Sequence, residues 1–227
     1  MTIPKLIHQY WSGENGNVCK IPPDQIVNTN SWDTTHPDFV HKIWHLQEIE
    51  SLLSNFHGLN VLDCVRACRF VAMQSDIIRM ALVYEYGGIW SDIKNLVLQP
   101  FLHNFLELDY PFITEHPSTA FRPHPNDYLC NALFGAPPQS NMIFDILTAV
   151  CFNINSRIRG GVYGVTGGSV ILKVVARAQQ NNTPYQFLTL RYNETWGIRV
   201  KRTSATYNNG GRHWSERQKK ESLYLDE

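Results

Sequence analysis

Residues 75–94 read Ser-Asp-Ile-Ile-Arg-Met-Ala-Leu-Val-Tyr-Glu-Tyr-Gly-Gly-Ile-Trp-Ser-Asp-Ile-Lys, and they limit the fold more tightly than any other stretch. Ile77, Ile78, Ala81, Leu82 and Tyr84 give 75–86 an apolar side at helical spacing, which predicts a helix. Ser75 is placed to cap it, with Asp76 at its positive end. Gly87-Gly88 ends it, and 89–94 reads as a strand. The same alternation runs along the chain, with further strands expected at 5–10, 40–44, 110–115 and 129–136 and helices at 47–56, 61–73, 141–153 and 167–179. Alternating elements of this kind make an α/β domain with a central sheet between helices.

Composition supports one packed unit. With 43% hydrophobic residues in 227, the chain can bury a substantial core. Lys plus Arg and Asp plus Glu both number 20, so nothing points to nucleic acid. No apolar run approaches the length of a membrane span, and residues 1–11 lack the pattern of a signal peptide. Five cysteines with no CxxC pair suit a reducing, cytoplasmic setting, and Cys64 and Cys68, one helical turn apart, read as core. The polar, basic stretch 199–227 is expected to be a flap or tail packed on a domain formed by 1–198.

Several chemistries are missing from the sequence. No GxxxxGK[ST], HExxH or GxSxG occurs, and the glycines at 161, 164 and 167 do not spell GxGxxG. The charged residues of 75–94 are then the strongest candidates for chemistry. Asp76 and Arg79 are neighbours on a helix, and Asp92 and Lys94 would share one face of the expected strand, roughly 6–7 Å apart. The four charges would meet at one sheet edge. Taken alone, they also describe an ordinary surface ion-pair network.

The stretch SDIIRMALVYEYGGIWSD resembles the SDxxRxxxLxxxGGxYxDxD signature of glycosyltransferases whose sugar-binding region carries a DXD motif, the family 32 enzymes. More distantly it is similar to the glucosylating domains of large clostridial toxins. Ile3-Pro4-Lys5-Leu6-Ile7-His8-Gln9-Tyr10-Trp11 resembles the family's opening IPKxIHQxW, and Lys42-Ile43-Trp44 its second strand. Asn131-Ala132-Leu133-Phe134, Val165-Thr166-Gly167-Gly168 and His213-Trp214 resemble later elements, in the right order.

The resemblance implies a GT-A fold: a Rossmann-like α/β domain with a mixed central sheet that holds a nucleotide-diphosphate sugar at its strand ends. It implies transfer with retention from a UDP-sugar, in preference to a GDP-sugar, to a glycan, polysaccharide or lipid-linked saccharide. Trp11 would stack on the base, with His8 and Gln9 nearby. Asp76 and Arg79 would bind the donor sugar's hydroxyls, and Gly87 and Gly88 would let the backbone approach the ligand. Asn131 would face the anomeric centre and join Asp92 and Arg79 as a catalytic group, and Thr166 would cap a helix aimed at the ligand. Asp92 would touch the donor and a Mn²⁺ or Mg²⁺ ion, with His213 as second ligand and Asn95 as a neutral one. Residues 115–117 and 122–127 would line the acceptor cleft.

One position departs from the pattern. The last DXD residue is Lys94, which cannot ligate a hard cation as a carboxylate does. Three readings follow. A metal is kept through Asp92 and the diphosphate; Lys94 replaces it, aided by Arg212, His213 and the basic tail; or the protein binds a nucleotide sugar without turning it over. The tail, 199–220, could also rest on a membrane surface carrying lipid-linked acceptors.

Overall fold

The computed structural model describes residues 1–13, 17–115, 129–206 and 213–225. Its strands are β1 (Leu6–Tyr10), β2 (Val40–Trp44), β3 (Gly88–Ser91), β4 (Asn95–Val97), β5 (Phe112–Glu115), β6 (Leu129–Ala136), β7 (Leu188–Leu190) and β8 (Val200–Arg202). Its helices are α1 (Pro23–Thr35), α2 (Leu46–Ser54), α3 (Val61–Ala67), α4 (Val71–Tyr86), α5 (Asn141–Asn155), α6 (Val162–Val165), α7 (Gly168–Gln180), α8 (Tyr192–Thr195) and α9 (Trp214–Arg217). Six strands form one mixed sheet in the order β2-β1-β3-β6-β5-β7, in which β6 runs antiparallel to both neighbours. Strands β4 and β8 pair separately as a two-stranded ribbon.

Successive strand residues face opposite sides, and the sheet is buried on both. Trp90, Ile113 and Phe134 enter a core shared with α2 to α5 and α7. Their chain neighbours Ile89, Phe112 and Leu133 enter a second core with Ile7, Trp32 and Phe101. Helix α4 lies deep in the first core, and every residue from Met73 to Val83 except Ser75 is buried. A helix buried nearly all round should be apolar throughout, so Asp76 and Arg79, at 6% and 4% exposure, stand out within it.

Three expectations need correction. The helix foreseen at 61–73 is broken at Cys68–Phe70, where Cys68 bridges Tyr224 and the Arg69 amide donates to the Leu223 carbonyl. The C-terminal segment draws this stretch out, a long-range pairing that local spacing does not reveal. Helix α4 consequently starts at Val71 after Phe70, so Ser75 is an interior residue rather than its cap, and Asp76 lies in the second turn. The strand foreseen at 89–94 ends at Ser91. There the Asp92 amide donates to the Ala132 carbonyl, and the Asn95 amide returns to the Asp92 carbonyl. Asp92, Ile93 and Lys94 thus form a turn rather than one face of a strand.

Helix α1, not among the elements expected above, buries Gln25, Asn28, Thr29 and Trp32 against the ribbon. Asn28 Nδ2 donates to the Ile93 carbonyl at 3.2 Å and to Thr203 Oγ1 at 2.8 Å. One amide therefore ties the 92–94 turn to the strand end that follows Arg202. No helix among the described residues is long and apolar enough to cross a membrane.

Candidate active site

At the C-terminal ends of β1 and β3 opens a cleft of about 450 Å³, where open α/β sheets characteristically bind ligands. Trp11, Asp76, Arg79, Asp92, Lys94, Asn131 and His213 line it, drawn from both halves of the chain. Its centre is Arg79. Nη2 lies 3.1 Å from Asp76 Oδ1, Nη1 lies 3.1 Å from Asp92 Oδ1, and Nη1 also donates to the Asn131 carbonyl. Nε and Nη2 reach back one turn to the carbonyl and hydroxyl of Ser75, both at 3.1 Å. The guanidinium packs 5.0 Å from the Trp90 ring, whose N–H donates to Asp92 Oδ1 at 2.9 Å.

Both oxygens of Asp76 are engaged. Asn131 Nδ2 donates to Oδ1 at 2.8 Å and the Thr166 hydroxyl to Oδ2 at 2.7 Å. Burial pushes its carboxyl above the usual range, while Arg79 and the Thr166 hydroxyl pull it back. Asp92 is more open, with its side chain 22% exposed and Oδ2 at 4.0 Å from Arg202 Nη2. Burial lowers the Lys94 ammonium from its ordinary value, and the neighbouring Arg202 charge lowers it further. His213 is lowered in the same way, by burial first and then by Lys94 and Arg202. Its Nδ1 is taken up with the Ser215 amide at the start of α9.

Several of the residues singled out from sequence do not line the cleft. Asn95 is wholly buried, its amide donating to the Ala132 carbonyl at 2.7 Å, and the Glu115 carboxylate accepts from the Tyr192 amide at 2.7 Å. His8 is wholly buried: Trp44 Nε1 donates to its Nδ1 at 3.0 Å, so Nε2 carries the hydrogen and donates to the Gly87 carbonyl at 2.8 Å. Burial drops its pKa to about 4, so the ring is neutral. Gln9 is buried beside the His41 ring at 3.0 Å. Gly87 and Gly88 lie at the opposite end of β3 and serve packing. Gly88 has φ +95°, and a Cβ there would stand 2.5 Å from the Leu6 carbonyl oxygen. Thr166 does not cap the following helix, because Gly167 is its N-cap; the hydroxyl serves Asp76 instead. The expected acceptor residues at 116–117 and 122–127, and Arg212, lie outside the described residues.

The cleft also holds residues the sequence reading passed over. Trp90 steers Asp92, Ser75 anchors Arg79, and Tyr163 and Trp214 add aromatic walls. In sequence, Arg202 is one of several basic residues between 199 and 220. Its pairing opposite Asn95, beside Lys94, sets it apart.

The donor atoms are a poor match for a cation held by the protein. Among the described residues no group of three His, Cys, Asp or Glu converges. Asp92 Oδ1 already accepts from Trp90 and Arg79, and Oδ2 faces a guanidinium. His213 sits among positive charges. A hard dication needs unencumbered carboxylate oxygens, which this arrangement does not offer.

The fold is that of the GT-A glycosyltransferases. PaToxG glycosyltransferase superposes with a TM-score of 0.60 at 16% identity, covering 80% of this chain and 73% of that one. The UDP-bound glycosyltransferase domain from the YGT toxin superposes with a TM-score of 0.59 at 8% identity, covering 84% and 79%. Residues 22–116 match the family described as glycosyltransferase sugar-binding region containing DXD motif. Over this region the chain is similar to that family, the one its central motif resembles. Among curated proteins, the inositol phosphoceramide mannosyltransferase 3 of Schizosaccharomyces pombe is 27% identical over 104 residues, which are 44% of this chain. The chain covers only 28% and 24% of the lengths of the curated relatives it matches.

Proposed function

We propose that this protein is a glycosyltransferase that moves a sugar from a nucleotide-diphosphate donor, UDP before GDP, to a glycan or lipid-linked saccharide. The observation that carries the reading is the Asp76–Arg79–Asp92 chain of charge at the strand ends of a GT-A sheet. Trp11, its N–H held by the Cys19 carbonyl at 3.0 Å, supplies a ring for the base at the cleft wall. Asp92 and Arg79 meet the donor between base and sugar. Asp76 and the Asn131 amide, already hydrogen-bonded to each other, present acceptor and donor groups to sugar hydroxyls.

As the glycosidic bond breaks, negative charge grows on the departing diphosphate, and positive groups fixed nearby stabilise it. Among the cations of this cleft, Arg79 bridges Asp76 and Asp92, and Arg202 stands on the Asp92 side, 4.0 Å from Oδ2. Retention follows from front-face attack assisted by the departing phosphate. The stretch 199–227 acts as a flap of the same domain, carrying Arg202 and His213 to the site.

Product formation from a panel of UDP- and GDP-sugars tests the reading, with Asp92→Ala as control. Transfer by the wild type that vanishes in a folded Asp92→Ala protein supports it; near-normal turnover in that variant contradicts it. A second reading, a binding module without turnover, is favoured by Lys94 at the last DXD position. Nucleotide binding with no transfer to any acceptor would select it.

A further inference from the structure

We propose that the cleft neutralises the donor's diphosphate with Lys94 and Arg202, in place of a divalent cation. This rests on the nucleotide-sugar reading above and specifies how the same site meets its most highly charged group. Lys94 sits in the turn that follows β3, and Arg202 ends β8. The ribbon register pairs Arg202 with Asn95, so Arg202 stands opposite the residue that follows Lys94. The placement is braced. The Thr203 amide donates to the Lys94 carbonyl at 2.9 Å, and the Thr203 hydroxyl does so at 3.2 Å. Asn28 then links the Ile93 carbonyl to Thr203 Oγ1. Helix, turn and strand thereby hold both side chains at the wall of the cleft beside Asp92.

The charge count gives the argument its direction. Among the described residues, Arg79, Lys94 and Arg202 face Asp76 and Asp92, an excess of cations before any ligand enters. Two further arginines of the wall are already committed. Arg69 donates to the Ser222 and Tyr224 carbonyls, and Arg217 is paired with Glu221 at 2.8 Å. A site built for a dication presents excess negative charge, and the metal's own charge then attracts the phosphates. Here the protein presents the positive charge itself. A guanidinium matches phosphate oxygens with a fork of donors, and an ammonium meets them as a point charge. Coulomb attraction at a partly buried wall falls with salt, whereas a bound metal's contribution falls with chelator.

Titration of UDP and GDP, with uridine and guanosine as controls lacking the diphosphate, separates the cases. Each ligand is measured in EDTA and in Mn²⁺, on wild type, Arg202→Ala and Lys94→Asp. The wild type should bind one diphosphate with the same affinity in both buffers, and more weakly as salt rises. Arg202→Ala should weaken that diphosphate roughly ten- to hundredfold, the loss expected for a charge-assisted bond, and leave the nucleoside unchanged. Lys94→Asp should bind poorly in EDTA and recover in Mn²⁺, because it restores a carboxylate beside Asp92. Diphosphate binding by the wild type that disappears in EDTA and returns with Mn²⁺ would overturn this inference while leaving the nucleotide reading intact. Binding of neither diphosphate in either buffer would overturn the nucleotide reading, and this inference with it.

Discussion

Arg79 Nη2 lies 3.1 Å from Asp76 Oδ1 within one turn of a buried helix, and neither side chain exceeds 9% exposure. Their isolation from water makes each dependent on the other. Removing one partner of a buried pair leaves an uncompensated charge, at a cost of about 3–5 kcal/mol. Arg79→Ala should therefore lose stability of that order in chemical denaturation, besides losing nucleotide binding. Arg79→Lys should not restore either property, since an ammonium cannot span Asp76, Asp92 and the Asn131 carbonyl as a fork does.

Thr166 supports the same carboxylate from the far side, with its hydroxyl 2.7 Å from Asp76 Oδ2. Thr166→Val keeps the shape and removes the donor, so it should destabilise the fold by roughly 1–3 kcal/mol. Thr166→Ser should stay close to wild type. Equal stability of Val and Thr variants in urea titration would show that this hydrogen bond contributes nothing.

Gly88 separates packing from ligand approach. At φ +95° with the Leu6 carbonyl oxygen 2.5 Å from the place of a Cβ, Gly88→Ala should cost more than about 1 kcal/mol in thermal unfolding. Its nucleotide affinity, measured below the unfolding transition, should match wild type. A selective loss of affinity with stability unchanged would return Gly88 to the binding surface.

Acid sensitivity should come in part from His8. Its folded pKa is about 4 against an ordinary 6.5, depressed by burial. The folded state therefore binds fewer protons than the unfolded state between these values. Stability is fully present above pH 6.5 and declines as pH falls toward 4, at about 1.4 kcal/mol per pH unit, or about 3 kcal/mol in all for this group. His36, also lowered to about 4, acts in the same direction. Denaturation midpoints from pH 7 to 4 should fall steeply in wild type and less steeply in His8→Gln. Parallel curves would remove His8 from the account.

The layered fold was legible because its main signals are local. Strands β2 and β6 lie where the sequence placed them, and Gly87 ends α4 as its position suggested. Much of the cleft was legible too, since Asp76, Arg79 and Asp92 stand within one short segment whose fold carries them to one place. What escaped depends on distant pairing. Helix α1 buries Asn28 and Gln25 as well as Trp32, so apolar periodicity does not announce it. Ribbon strands of three residues carry too little pattern to be seen, and with β8 went the particular position of Arg202. The shared segment also misled: Ser75 looked like a cap because nothing local shows that the C-terminal segment holds 68–70 extended.

Nucleotide binding is the property on which every role assigned to this cleft depends. Calorimetric titration of UDP and GDP into wild type and Trp11→Ala tests it with the full chain. One diphosphate should bind saturably to wild type. Its affinity should fall roughly 5- to 150-fold in Trp11→Ala, the range set by loss of about 1–3 kcal/mol of base stacking. Absence of binding by either nucleotide to the folded wild-type protein would contradict the account and leave the GT-A likeness as one of fold alone.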